Sequence, residues 1–420
     1  MSTGASATQG GFLSPELVDR IIDEVHLFSD SSETLYYVSD EEVEVNMWGE
    51  AIDKRLSTLT SCSLVCRTWL PCSRYHIFGT TTVSFHNHAS FMDLLDSPRN
   101  TFLTFVHTLC LNETLIPGDP ERLGLGPGYL WLHLFLPTGF LSDFSNLKTL
   151  RISDAQFNLT DDNILAEDIL GTNCDFPSIR NLSLNGCHFR TLDDVVQTLS
   201  SCTALVSANL HLINIVDPAG MLPIEFAPLS PLPQSLSSLT FPTRACPSPM
   251  QVISMACASL KHLSIGPPYV DEDSNGIIVL DLVDLQRLTD NIEYCSNLQS
   301  IAFCPVNINS FNPNSRREEV KYIPIILQKI TSSSITDIII AVSADSVAAF
   351  DVFNWVSITE ILGQKKYANL RRITIDNVNE DLVAEAKKTI AKKLKRLLVG
   401  NPSVEIVISH DKERWRMSQI

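Results

Sequence analysis

One short phrase returns along this chain: apolar, two spacers, apolar, one spacer, apolar. It reads VHTLCL at 106, LKTLRI at 147, IRNLSL at 179, LVSANL at 205 and LSSLTF at 236. It continues as LKHLSI at 260, LQSIAF at 298, ITDIII at 335 and LRRITI at 370. Chance supplies one or two such phrases; nine in 420 residues make a repeat. A repeat unit cannot bury its apolar face alone, so the phrase demands stacked units that cover one another. The intervals run from 24 to 41 residues, so the period is irregular.

The segments between phrases carry the other half of the pattern. TLDDVVQTLSSCTAL, MQVISMACASL, LVDLQRLTDNIEYCSNL and EEVKYIPIILQKI place apolar residues at helical spacing. Each reads as a helix leading into the next strand. Parallel neighbours need a crossover of about a dozen or more residues, so strand–helix alternation predicts a parallel sheet and an α/β class. The stretch 214–249 differs, with eight prolines, and reads as a rigid loop broken by one strand at 236–241.

The phrase also predicts a surface. Strand side chains alternate, so the last two apolar residues point one way and the residue between them the other. In a curved parallel array the latter line the concave face. They are Cys110, Arg151, Ser183, Asn209, Thr240, Ser264, Ala302, Ile339 and Thr374. The next outward positions include Asn112, Ser153, Asn185, His211 and Asp376. The candidate target-binding residues are Arg151, Ser183, Asn209, His211, Thr240, Ser264 and Thr374. Only Arg151 among them is a fixed charge, so the face offers shape and hydrogen bonds. Nucleic acid would want a stripe of Lys and Arg.

Before the repeats the chain is organised differently. Residues 1–11 are small and polar and read as a disordered tail. Residues 12–27 read as a helix, with Ser14 as N-cap, Pro15 at the first position, and Leu17, Ile21 and Val25 at helical spacing. Residues 29–53 hold eight carboxylates and no Lys or Arg, and read as an exposed acidic insertion. Helical patterning returns at 54–79, with Pro71 near a boundary or first turn. Residues 81–101 read as a linker, and 102–420 as the repeat domain.

Cys62, Cys66, Cys72 and His76 invite a zinc reading, because three thiols and an imidazole suit a tetrahedral site. The stretch CSLVCRTWLPCSRYH is instead apolar at helical spacing. Cysteines four apart on one helix face act as small hydrophobes, and the expected metal content is none. His86 and His88 lie at strand spacing with no further ligand nearby. LGLGPG at 123–128 lacks the lysine of a phosphate loop. The chain shows no G-x-S-x-G elbow and no H-E-x-x-H pair. AKKTIAKKLKRLL at 386–398 carries six basic residues and reads first as a solvated helix face, with a nuclear-import or acidic-partner patch as the second reading.

Charge and cysteine usage bound the setting. A formal charge of −17 disfavours general attraction to nucleic acid or anionic lipid. The first residues lack the basic and apolar regions of a secretory signal, and no apolar run reaches membrane-span length. Eleven cysteines, an odd number, read as reduced thiols in the cytoplasm or nucleus.

Residues 12–79 resemble an F-box. The matching residues are Phe12-Leu-Ser-Pro-Glu-Leu17 with Ile21-Ile22, then TLTSCSLVCRTWLPCSRYHIFGT at 58–80. The second run is the more specific and looks like the ending common in fungal F-box proteins. Ser14 stands where the usual opening has proline, and the acidic insertion separates the two runs. The resemblance implies a helical module at 12–80 that docks on the Skp-type adaptor of a cullin–RING ubiquitin ligase. Carried over by position, the contacts are Leu13, Pro15, Leu17, Ile21, Ile22, Leu64, Val65, Cys66 and Trp69. A module of about 40 ordered residues cannot close its own core, so an apolar face left for a partner fits the physics. The region 102–409 resembles leucine-rich repeats, and only Ile179 to Cys187 keeps the longer form ending in cysteine. That resemblance implies an irregular solenoid with parallel strands on its concave side and helices outside.

Together these imply a substrate-recognition subunit of an SCF-type ligase: not an enzyme, without cofactor, holding the adaptor through the F-box and a protein target through the repeats. The alternative is a non-ligase repeat scaffold whose F-box-like helices cap the array.

Overall fold

Alternating apolar residues make each repeated phrase a strand, and the structure places a strand on all nine. The computed structural model describes residues 57–65, 69–97, 100–113, 131–132, 140–157, 176–215, 231–241, 250–266, 270–272, 278–280, 282–308, 320–344, 346–376 and 378–409. The strands are β1 (Thr80–Ser84), β2 (Thr108–Asn112), β3 (Thr149–Ser153), β4 (Asn181–Asn185), β5 (His188–Phe189), β6 (Ser207–His211), β7 (Asn214–Ile215) and β8 (Ser238–Phe241). They continue with β9 (His262–Ile265), β10 (Val270–Glu272), β11 (Ile278–Leu280), β12 (Ser300–Asn307), β13 (Asp337–Ser343), β14 (Arg372–Asp376) and β15 (Glu405–Ile408). Eleven of them form one sheet in the order β1-β2-β3-β4-β6-β8-β9-β12-β13-β14-β15. From β3 to β15 every neighbouring pair is parallel. The class is therefore mixed α/β with a large parallel sheet.

The chain divides into two units, residues 1–82, 91–109 and 144–147 in the first and the remainder in the second. In the first, helical residues 57–65 turn Leu59 inward, fully buried, with Trp69, Cys72 and Ile77 packed against it. The helix Leu70–Phe78 begins with Pro71 in its first turn, where a missing N–H costs nothing. Phe102 meets Phe78 at 5.3 Å and Phe91 at 5.9 Å between ring centres. The Gly79 carbonyl accepts from the amides of His107 and Thr108 at 3.0 and 2.9 Å. The stretch 81–101, expected as a linker, carries most of β1 and the helix His88–Leu95. No phrase marks β1, so nothing in the repeat pattern announced it.

In the second unit one backbone contact recurs from repeat to repeat. The Lys148 carbonyl accepts the amides of both Arg180 and Asn181, and the Arg180 carbonyl those of Val206 and Ser207. Val206, Ser237, Lys261, Gln299 and Thr336 do the same for the repeat that follows each. This relay satisfies the backbone at every strand entry, so phrases 24 to 38 residues apart still enter the sheet alike. Asparagines just before a phrase reinforce it: Asn297 Nδ2 donates to the Ala258 carbonyl at 2.8 Å and Asn369 Nδ2 to Ser333 at 2.9 Å. The helices Met250–Ala256, Leu282–Glu293, Tyr322–Lys329, Trp355–Leu362 and Lys395–Gly400 pack one on the next in chain order.

The sheet's apolar face is buried throughout, as the phrase requires; Leu150, Leu182, Leu239, Ile301, Ile338 and Ile373 are each at most 2% exposed. The opposite face changes along the sheet. On β12 to β14 it is closed, with Ala302 8% exposed, Ile339 7% and Thr374 4%. Strict alternation put these residues outward on an open surface; they lie on that face but are buried. The run Ile338 to Val342 is the physical reason, since a strand buried on both sides is apolar without alternation. Among the described residues no helix is long and apolar enough to cross a membrane.

Candidate functional site

Each unit carries a surface that the sequence reading singled out. In the first unit it is the end of helix 57–65. Leu59 points to the core, and Leu64 and Val65 are left 80% and 62% exposed. Two adjacent apolar side chains in water forgo about 1.5–3 kcal/mol of burial each, which a partner can recover. Trp69 is partly buried and packs against Leu59, so its ring serves the module's own core. Cys62 is a free, half-buried thiol, and Cys72 packs against Leu59. The His76 ring lies edge-on to Tyr75 at 5.1 Å. Among the described residues no group of three or more His, Cys, Asp or Glu could hold a metal ion. Leu13, Pro15, Leu17, Ile21, Ile22 and Cys66 lie outside the described residues, as does the helix expected at 12–27.

In the second unit the surface is the polar face of the sheet. Parallel pairing sets Arg151 beside Ser183, Ser183 beside Asn209, Asn209 beside Thr240, and Thr240 beside Ser264. Five of the seven expected target residues thus form one continuous row. Thr374 belongs to the same row by way of Ala302 and Ile339, but in the closed part. His211 lies one row further along, paired with Asn185, which pairs with Ser153.

Hydrogen bonds tie these rows together. Asn209 Nδ2 donates to Ser183 Oγ at 3.3 Å. His211 Nδ1 lies 2.6 Å from Asn185 Oδ1. An amide oxygen can only accept, so Nδ1 carries the proton. Burial lowers the His211 pKa, which favours the neutral ring and leaves Nε2 as an acceptor. Further along, Ser264 Oγ meets Cys304 Sγ at 3.3 Å. Burial pushes the Cys304 thiol up to about 12, so it stays a packing group.

Beside this face lies a group the sequence reading missed. Glu113 follows β2 and is 3% exposed. Its two carboxylate oxygens accept the amides of Leu132 at 3.2 Å and Gln156 at 3.1 Å. Burial raises its pKa to about 7 against the pull of those two amides. No spacing rule marks such a residue, because its partners lie 19 and 43 positions away. Nearby, Cys187 donates its thiol to the Ile152 carbonyl at 3.5 Å and is fully buried. This is the position where the longer repeat form ends.

The turns leaving the strands follow a rule of their own. Asp154, Gly186 and Leu212 directly follow β3, β4 and β6, with φ of 58°, 62° and 50°. Only Gly186 takes that conformation without strain, and a Cβ there would run into the Asp154 carboxylate. Compared with known proteins, the chain matches no family model, and no curated protein matches it. Function therefore rests on the two surfaces themselves.

Proposed function

We propose that this protein is the substrate-recognition subunit of an SCF-type cullin–RING ubiquitin ligase, acting in the cytoplasm or nucleus. The helical module at 12–80 holds a Skp-type adaptor, and the leucine-rich-repeat-like domain holds a protein target on its polar sheet face. The chain performs no chemistry and needs no cofactor. It raises the effective concentration of target lysines near the loaded conjugating enzyme.

The observation that carries this reading is the Leu64–Val65 pair. The run CSLVCRTWLPCSRYH resembles the F-box ending, and its Leu-Val step is exposed while the same helix buries Leu59. A helix with a closed inner side and an apolar outer end suits docking in an adaptor groove. The repeat domain supports the second half through a continuous hydroxyl- and amide-bearing row from β3 to β9, in which Arg151, Asn209, Thr240 and Ser264 are partly exposed and Ser183 is buried between them.

The test is co-expression with a Skp-type adaptor followed by size-exclusion chromatography. The wild-type chain is expected to co-elute with the adaptor. Leu64→Glu with Val65→Glu is expected to lose it, while the repeat domain keeps its helical and strand signal. Co-elution retained by the double variant contradicts the reading.

A further inference from the structure

We propose that the sheet face holds a carboxylate-binding subsite centred on Arg151, which takes an acidic side chain or the C-terminus of a target peptide. It rests on reading this face as the target surface. Arg151 is half-buried on β3 and is the only charged residue from Arg151 to Ser264 in its row. Neither a hydrogen bond nor an ion pair engages its guanidinium among the described residues. A guanidinium fork matches a carboxylate with two parallel bonds, and partial burial strengthens them.

The neighbours are set by register and complete the site. Ser183 lies across from Arg151 and is 8% exposed. Its oxygen accepts from Asn209, so its own proton is free to donate to a ligand. Ser153, two residues along β3, adds a hydroxyl on the same face. Asn185 gives its oxygen to His211, which leaves its NH2 as a donor. His211 Nε2 is the acceptor at this end of the group. One cation, three donors and one acceptor fit a carboxylate joined to a backbone N–H.

A phosphate fits less well. It carries about −1.5 to −2 charge and three acceptor oxygens. This row offers one positive charge, inside a chain of net charge −17. The lone pair on His211 Nε2 repels a further anionic oxygen but accepts a peptide N–H.

The probe is a set of blocked tetrapeptides titrated into the full chain: Ac-Gly-Asp-Gly-Gly-amide, its Asn and phosphoserine analogues, and an acetylated glycine peptide with a free C-terminus. The readout is the NMR shift of the Arg151 Nε–H and the His211 ring. The Asp peptide is expected to saturate both signals with a Kd of about 1 mM. The Asn analogue should bind about tenfold or more weakly, as expected for loss of a charge-assisted bond. Arg151→Gln should erase the preference for Asp over Asn, and Arg151→Lys should keep part of it. Stronger binding of the free C-terminus assigns the carboxylate to a chain end, and stronger binding of Asp assigns it to a side chain; either supports the subsite. Equal binding of Asp and Asn peptides, no shift at Arg151 and His211, or an unchanged preference in Arg151→Gln overturns it. A tighter phosphoserine peptide overturns the carboxylate assignment. Arg151→Gln leaves Leu64 and Val65 untouched, so adaptor binding reports separately on the ligase reading.

Discussion

Glu113 shows what a single buried group contributes. It is almost fully enclosed, yet among the described residues it accepts just two backbone amides. Its folded pKa of about 7 stands above the ordinary 4.5. Over that interval the folded state holds a proton that the unfolded state has released. The stability from Glu113 is therefore complete below pH 4.5 and is lost as pH rises to about 7. At about 1.4 kcal/mol per pKa unit, the loss is on the order of 3 kcal/mol. Urea midpoints measured across that window should fall with pH for the wild type, and Glu113→Gln should remove that part of the slope. Leu212 is a second residue-scale case. It is 54% exposed and held at φ 50°, a conformation that costs a branched side chain about 1 kcal/mol. Leu212→Asn should raise stability by about 0.5–1 kcal/mol in the same titration, since Asn tolerates the left-handed region and more than half of the leucine faces solvent. Neither feature was legible beforehand. A left-handed turn on a leucine breaks local preference, and Glu113 finds its partners only once distant segments meet.

At the scale of elements, the helix Tyr322–Lys329 ends on a side chain from the next repeat. Lys366 Nζ donates to the carbonyls of Leu327, Gln328 and Ile330 at 3.2, 2.6 and 2.8 Å. These are carbonyls that the helix itself cannot satisfy, at its negative end. Lys366→Met should cost about 1–3 kcal/mol in thermal or urea unfolding, because it removes the donor to the Gln328 and Ile330 carbonyls, while Leu327 keeps the Tyr367 hydroxyl. The strands tell how far the sequence could be read. The phrase located nine of them, and its alternation fixed which residues share a face. It did not reveal β15, where Val404, Ile406 and Ile408 shorten the first spacing by one residue. It also misjudged how open the far end of the face is, because alternation sets direction and not cover. The apolar run at 338–342 was the available signal. The asparagines before Leu298 and Leu370 were equally visible, and like the thiol of Cys187 they carry a bond from one repeat to the one before it.

At the scale of the whole molecule, the two units divide the proposed labour. The first presents Leu64 and Val65, and the second presents the row from Arg151 to Ser264. Their charges do not predict these roles, since a net −17 says only what the surface as a whole avoids. What was legible was the change of rule near residue 102, from helical spacing to the strand phrase. Where the chain divides was less legible, because residues 91–109 belong with the first unit although the phrase begins at 106. The two surfaces should respond independently to mutation: Arg151→Gln should leave adaptor affinity unchanged, and the Leu64–Val65 variant should leave peptide binding unchanged. The most direct measurement is calorimetric titration of the full chain with a purified Skp-type adaptor. The expected result is saturable binding that weakens by more than about tenfold in Leu64→Glu with Val65→Glu, as loss of two buried apolar contacts requires. No binding by the wild type, or equal binding by the double variant, contradicts the account.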